Sequence, residues 1–245
     1  MEPTGRYAGG VSFVPTRDGW LVHTPGEDFL VVTAPGGERP DRPPLDDPDL
    51  AEVFAEEGVL EPVPARRPGV VALTGDGPLF EAVGHLLGRA GLACGEEDVA
   101  VRVAVAPWPR DDLFRRLAAE ARETGTALHF GFAEGRRWYA GPFWTGPATA
   151  CYEDLRLRRL AASPWPEELA AYWAWLDSGG APEPGAALLL GADVAAALIV
   201  ADVWAYLHGE DAPGTGVQAG FDPATGLLNR HPVLPVPAGL MTEQP

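Results

Sequence analysis

The chain has 245 residues, 46% of them hydrophobic, and a formal net charge of −17. That is enough for one large domain or for a small one beside a medium one. The acidic balance argues against nucleic acid, whose phosphates need clustered positive charge. All 18 basic residues are arginine, which rules out a phosphate-loop lysine, a Schiff-base lysine and a lysine general base. An acidic surface suits a partner with basic or apolar features instead. No apolar run approaches the ~20 residues of a membrane span, the longest, near Ala195 to Val203, containing Asp202. There is no basic-then-apolar signal pattern at the N-terminus. Two cysteines, Cys94 and Cys151, make no disulfide framework, so a cytoplasmic location is expected.

In chain order, residues 1–10 read as a loose terminus. Three short β-rich runs follow, at Val11 to Val14, Trp20 to Thr24 and Phe29 to Thr33, separated by turn signals at Arg17-Asp18-Gly19 and Pro25-Gly26-Glu27. Residues 34–48 are rich in Pro, Gly and charge and read as a loop. Asp49 opens a short amphipathic helix with Leu50, Val53 and Phe54 on one face and Gly58 as its C-terminal cap. The stretch from Val59 to Pro68 reads as a domain boundary. This predicts two domains, residues 1–66 and residues 67–245.

Gly69 to Thr74 is a buried-strand signal, followed by Gly75-Asp76-Gly77-Pro78 and a helix from Leu79 to Ala90. Strand, Gly-rich turn and helix is how a dinucleotide-type α/β unit begins. The glycine pattern is incomplete, because Phe80 stands where the third glycine of G-x-G-x-x-G belongs, and Pro78 removes an N–H that a phosphate would use. The run reads as a tight strand-to-helix turn in an α/β fold rather than as a nucleotide loop. Further strands are predicted at Val99 to Ala106, Ala127 to Ala133 and Trp138 to Phe143, with a helix at Asp111 to Glu123. His129 reads as a packed residue. Gly141-Pro142 and Gly146-Pro147 then lead to Cys151-Tyr152 and an Arg-rich helix. A helix at Glu167 to Asp177 carries Tyr172, Trp173 and Trp175, which suit a core or an interface. Ala186 to Leu207 is Ala-rich and almost uniformly apolar, and should be buried on most sides. Val217 to Asp222 and Leu227 to His231 form a closing hairpin around residues 223–226.

Reactive groups are sparse. The serines are Ser12, Ser163 and Ser178, none within G-x-S-x-G, and no H-E-x-x-H occurs. Glu153 and Asp154 would raise the Cys151 thiol pKa rather than lower it. No catalytic residue is predicted.

The order of elements from Gly69 to Pro237 resembles the E1/ThiF-type adenylating fold. More closely, it resembles the divergent ThiF-like partner proteins of azoline-forming peptide cyclodehydratases. The pieces that carry the resemblance are Val71 to Leu79, Gly141-Pro142 with Cys151 ahead of the Arg-rich helix, the long apolar helix into Leu207-His208-Gly209, and the final turn into His231-Pro232. Val11 to Pro62 resembles a shortened, winged-helix-like peptide-recognition element of the kind that binds leader peptides of ribosomally made, modified peptides; a β-hairpin cap on the larger domain is the other reading. The fold class implied is α/β, an E1/ThiF-like domain preceded by a small β-rich module. The fold family commonly holds a structural zinc between two Cys-x-x-Cys pairs. Here the first pair would be Cys151 with Asp154, and the second would fall near residues 238–241, which contain no Cys. No metal is therefore predicted, and no cofactor.

The resemblance implies a non-catalytic adaptor that binds a precursor's leader peptide and presents it to a YcaO-type cyclodehydratase or another modifying enzyme, with a homodimer possible. The strand Phe29, Leu30, Val31, Val32, Thr33 would accept the leader as an added strand, with pockets from Leu50, Val53 and Phe54. The alternatives are an ATP-dependent E1-like adenylating enzyme and a scaffold on an inactive fold.

Overall fold

Short alternating strands organise the N-terminal region. β1 (Gly5–Tyr7), β2 (Ser12–Pro15), β3 (Gly19–His23) and β4 (Phe29–Thr33) precede helix α1 (Pro48–Glu56) and β5 (Leu60–Pro62). The computed structural model describes residues 5–33, 41–43, 47–183 and 186–237. The chain divides into two units, Met1–Ala65 and Arg66–Pro245. In the first, β2, β3 and β4 form an antiparallel meander in that order. Its inner face packs Trp20 and Val22 against Phe54 of α1 and Val59, with Leu30, Val32 and Leu50 around them. α1 starts earlier than predicted. Asp47 is its N-cap, accepting from the N–H groups of Asp49 (3.0 Å) and Leu50 (3.3 Å), and Pro48 occupies the first turn, where its missing N–H costs nothing.

Two readings need correction here. Residues 5–7 are not a loose terminus. β1 pairs antiparallel with β5, Arg6 facing Glu61, and Arg6 Nε donates to Glu61 Oε1 at 2.6 Å. The presumed boundary from Val59 to Pro68 therefore contains a strand. Part of the predicted 34–48 loop lies outside the described residues.

The second unit holds β6 (Val70–Gly75), α2 (Gly77–Arg89), β7 (Val99–Ala106), α3 (Asp111–Thr124), β8 (Ala127–Glu134), β9 (Arg137–Ala140), α4 (Tyr152–Ala162), α5 (Pro166–Asp177), α6 (Ala186–Leu207), β10 (Val217–Asp222) and β11 (Leu227–Pro232). Its sheet runs β11-β10-β9-β8-β7-β6. β6, β7 and β8 are parallel, and the remaining pairs are antiparallel. Side-chain alternation on β8 splits the core in two. Leu128, Phe130 and Phe132 face Phe114 and Leu117 of α3 and Tyr152 and Leu155 of α4. The other face, with Ala127 and Ala133, meets Leu79 and Val83 of α2 and Ile199 and Val203 of α6. α6 approaches β8 so closely that a Cβ on Gly131 would lie 2.7 Å from Ile199 Cδ1 and 2.8 Å from Leu79 Cδ2.

β9 is shorter than predicted. The chain leaves it at Gly141-Pro142, a cis peptide. Trp144 then exchanges backbone bonds with Leu128 of β8 (2.9 Å each way), while Phe143 N–H donates to Gly214 O at 3.0 Å. α6 also corrects the reading of apolar runs: Leu189–Leu207 is 19 residues and, by length and composition, enough to cross a membrane. In the fold, Ala192, Ala195, Ala196, Ile199 and Val203 pack into the core. Asp202 is buried with His129: Nε2 lies 2.9 Å from Asp202 Oδ2, and Gly214 N–H donates to Oδ1 at 2.7 Å. His129 is thus a packed residue, as read.

Candidate functional site

Among the described residues, the meander leaves one strand with an open side. Thr24 N–H donates to Asp28 O at 2.9 Å, and the register continues with His23 opposite Phe29, Val22 opposite Leu30, Leu21 opposite Val31 and Trp20 opposite Val32. Hydrogen-bonded pairs alternate along an antiparallel ladder. Leu30 and Val32 therefore turn their backbone groups toward β3, while Phe29, Val31 and Thr33 turn theirs outward. β4 ends its sheet, and no strand pairs with that side among the described residues. The opposite edge, β2, ends in Pro15, a residue that blunts an edge by having no N–H. β4 has no such protection. Its outer side chains are also apolar, Phe29 being 62% and Val31 76% exposed.

The predicted pocket residues on α1 are not equivalent. Val53 is 47% exposed, and Leu50 is half-buried against the core. Phe54 has no exposed surface at all, packing between Tyr7 and Phe13 (ring centroids 6.4 and 6.3 Å away). It supports the module and offers nothing to a ligand. Leu30 and Val32 likewise point their side chains into the core. What remains at the surface is the outer line Phe29, Val31, Thr33, together with Val53.

In the second unit, open parallel sheets bind ligands at the carboxyl ends of their strands. Here that end carries the β6–α2 turn. Gly75 (φ +134°) is required by packing, since a Cβ there would lie 1.7 Å from Val105 O of β7. Gly77 (φ +79°) would bring a Cβ within 3.3 Å of Pro107. The glycines serve strand and turn rather than a phosphate. Asp76 is the N-cap of α2, its side chain making no capping bond, and Pro78 sits in the first turn. A carboxylate and a missing N–H occupy the place where a phosphate needs donors and positive potential. Beside the turn lies a 280 Å³ cavity lined by Pro78, Pro107, Trp108, Glu134, Trp138 and Tyr172 among others, with no basic side chain. These residues do not fit a triphosphate.

The start of α4 is where the fold family's zinc would be held. Cys151 is buried, and Arg122 Nη2 donates to its Sγ at 2.7 Å. Burial pushes the thiol pKa up to about 11, and Asp154 adds to the rise through its charge and hydrogen bond. Asp154 is fully occupied: Oδ2 accepts from Cys151 N–H and Oδ1 from Val236 N–H, both at 2.7 Å. Arg158 donates to Leu234 O (2.5 Å) and Pro235 O (3.3 Å). One protonated thiol and one committed carboxylate do not make the closed thiolate-rich site that structural zinc prefers. Among the described residues, no group of three or more His, Cys, Asp and Glu could hold a metal. Residues 238–241 lie outside the described residues. Sequence reasoning missed the role of Asp154 as a link between α4 and the segment after β11; its position three residues into a helix start was the available signal.

No protein-family model and no curated protein matches the chain. Solved structures do. E. coli MccB superposes with a TM-score of 0.59 at 13% identity, over 96% of this chain and 95% of that one. The heterocyclase TruD gives 0.60 at 15% identity, over 95% of this chain and 41% of that one. A chain of the E. coli microcin synthetase McbBCD complex gives 0.52 at 14% identity, over 93% and 97%. The chain thus spans nearly the full length of MccB but less than half of TruD. At these identities the likeness establishes the fold: an E1/ThiF-like α/β domain preceded by a small β-rich module.

Proposed function

We propose that this chain is a non-catalytic adaptor that binds the leader segment of a ribosomal precursor peptide and presents it to a YcaO-type cyclodehydratase, in the cytoplasm, during the making of azole- or azoline-containing products. The observation that carries the reading is the open side of β4. Phe29, Val31 and Thr33 hold N–H and C=O groups that an extended peptide completes as a fourth strand, and the apolar side chains of Phe29, Val31 and Val53 offer contacts to its alternate residues. Support also comes from the proteins of like fold. They include a heterocyclase solved with substrate and cofactor, of which this chain spans 30%, and MccB solved with MccA-N7isoASN.

A second reading, an ATP-dependent adenylating enzyme, is favoured by MccB having been solved with AMPCPP and MccA. Asp76, Pro78 and the absence of a basic residue in the adjoining cavity oppose it. Two titrations on the full chain separate the readings. Fluorescence anisotropy with labelled candidate leader peptides should show saturable binding, and calorimetry with ATP-Mg should show none. Micromolar ATP-Mg affinity with no leader binding would replace the adaptor by the enzyme.

A further inference from the structure

The cavity at the carboxyl ends of β6, β7 and β8 has a composition of its own. Trp108, Trp138 and Tyr172 contribute aromatic rings, and Glu134 and Glu183 contribute carboxylates. Trp138 is held in place by α6, which passes so near that a Cβ on Gly191 would lie 2.3 Å from its Cδ1. Arg136, Arg137 and Arg159 are already engaged within the chain. Arg159 pairs with Glu134, whose other oxygen accepts from Trp173 Nε1 at 3.1 Å. Arg136 and Arg137 both face Asp222, Arg136 Nε at 2.9 Å and Arg137 Nε at 3.9 Å. Glu183, on the rim and exposed, forms no ion pair among the described residues. The same region already stacks a cation on a ring, with the Arg159 guanidinium 5.2 Å from the centre of Trp173.

Ring faces carry negative potential and attract cations, more strongly as the site loses water. An unpaired carboxylate on the rim and a chain of net charge −17 add to that attraction. We infer that this cavity binds an organic cation on an apolar stem, the basic side chain of a peptide, its guanidinium or ammonium among Trp108, Trp138 and Tyr172 and within reach of Glu183. The inference does not rest on the β4 reading, because it uses different residues and a ligand too small to pair along a strand.

Calorimetry on the full chain tests it with four probes: acetyl-Gly-Arg-Gly-amide, acetyl-Gly-Gln-Gly-amide, methylguanidinium and ATP-Mg. The arginine tripeptide should bind about tenfold more tightly than the glutamine one. Trp108→Ala should weaken its binding by about tenfold, and Glu183→Gln by roughly threefold, with a shallower salt dependence. Glu183 is exposed, so that second variant carries no folding risk, and circular dichroism checks the first. Equal binding of the two tripeptides, no binding of the arginine tripeptide, or binding untouched by both substitutions overturns the proposal. Methylguanidinium bound as tightly as the arginine tripeptide overturns the assignment to a peptide, and displacement by ATP-Mg overturns the exclusion of nucleotides.

Discussion

The β4 edge and the start of α4 treat their backbone donors in opposite ways. At β4, the N–H groups of Phe29, Val31 and Thr33 point away from the sheet, with no strand among the described residues to meet them. At α4, the N–H groups of Cys151 and Val236 both end on the Asp154 carboxylate. Buried backbone polar groups are almost always paired, whereas an exposed edge waits on water or on another chain. A donor satisfied from within the chain serves structure, whereas a row of donors facing solvent is free to pair with another chain. Among the described residues, Asp154 is committed to structure, and the β4 edge is the part that the proposed adaptor role uses.

The largest effect should come from the boundary between support and surface within the N-terminal unit. Phe54→Ala removes a ring with no exposed surface from a small core and should destabilise that unit by about 3–5 kcal/mol, read as a shift in a denaturant midpoint. Val53→Ala, at 47% exposure, should stay within about 0.5 kcal/mol of the parent chain and weaken leader binding instead. If Val53→Ala proved as damaging to stability as Phe54→Ala, the line drawn through α1 would be misplaced.

Next in size is the carboxylate link. Asp154→Ala leaves the Cys151 and Val236 N–H groups without their acceptor, and hydrogen bonds to a charged group contribute about 1.5–3 kcal/mol each. A loss of roughly 3 kcal/mol is expected, with faster amide exchange at Val236. Chelator should leave the parent chain's unfolding midpoint unmoved. Stoichiometric zinc by elemental analysis, with a chelator-sensitive midpoint, would restore the metal and remove this role from Asp154.

Much of the second unit was legible in advance. β7 and α6 were read with the ends they have, and most other strands and helices within a few residues, because apolar periodicity and Gly or Pro punctuation mark them locally. What escaped was set by partners distant in sequence. β1 has three residues and no alternation to notice, and its reason for being a strand is Leu60–Pro62. Helical spacing places Leu50, Val53 and Phe54 on one face, but whether that face meets a core or a ligand depends on where Trp20 and Val22 lie. The acidic residue at 154 was read for its effect on a neighbouring thiol, while the second group it binds, Val236, is 82 residues away.

The edge itself is tested by Val31→Pro. Val31 is one of the three residues whose backbone faces outward, so proline there removes a donor that the proposed leader strand would use, without breaking a bond to β3. Leader binding should fall at least tenfold, equivalent to ~1.4 kcal/mol, with circular dichroism unchanged. A folded Val31→Pro chain that binds leader as the parent does would withdraw β4 from the site.

The last effect, a loss of stability at Cys151, is absent near neutral pH and appears only as pH rises. The thiol pKa rises from its ordinary 9.0 to about 11, chiefly because burial disfavours the thiolate; the Asp154 N–H and the Arg122 charge pull it down, and the Asp154 carboxylate pushes it up. The folded chain therefore holds this proton more tightly than the unfolded one. The stabilising contribution is present in full below pH 9, and it is lost progressively as pH climbs from 9 toward about 11. Reactivity follows the same order, because the thiolate is the nucleophile. At pH 8 in native conditions, iodoacetamide should label exposed Cys94 and leave buried Cys151 unmodified, and denaturant should expose both. Rapid native labelling of Cys151 would mean that its thiol is neither buried nor protonated. The segment held by Asp154 and Arg158 would then be open, and the start of α4 would join the β4 edge as a candidate surface for a partner.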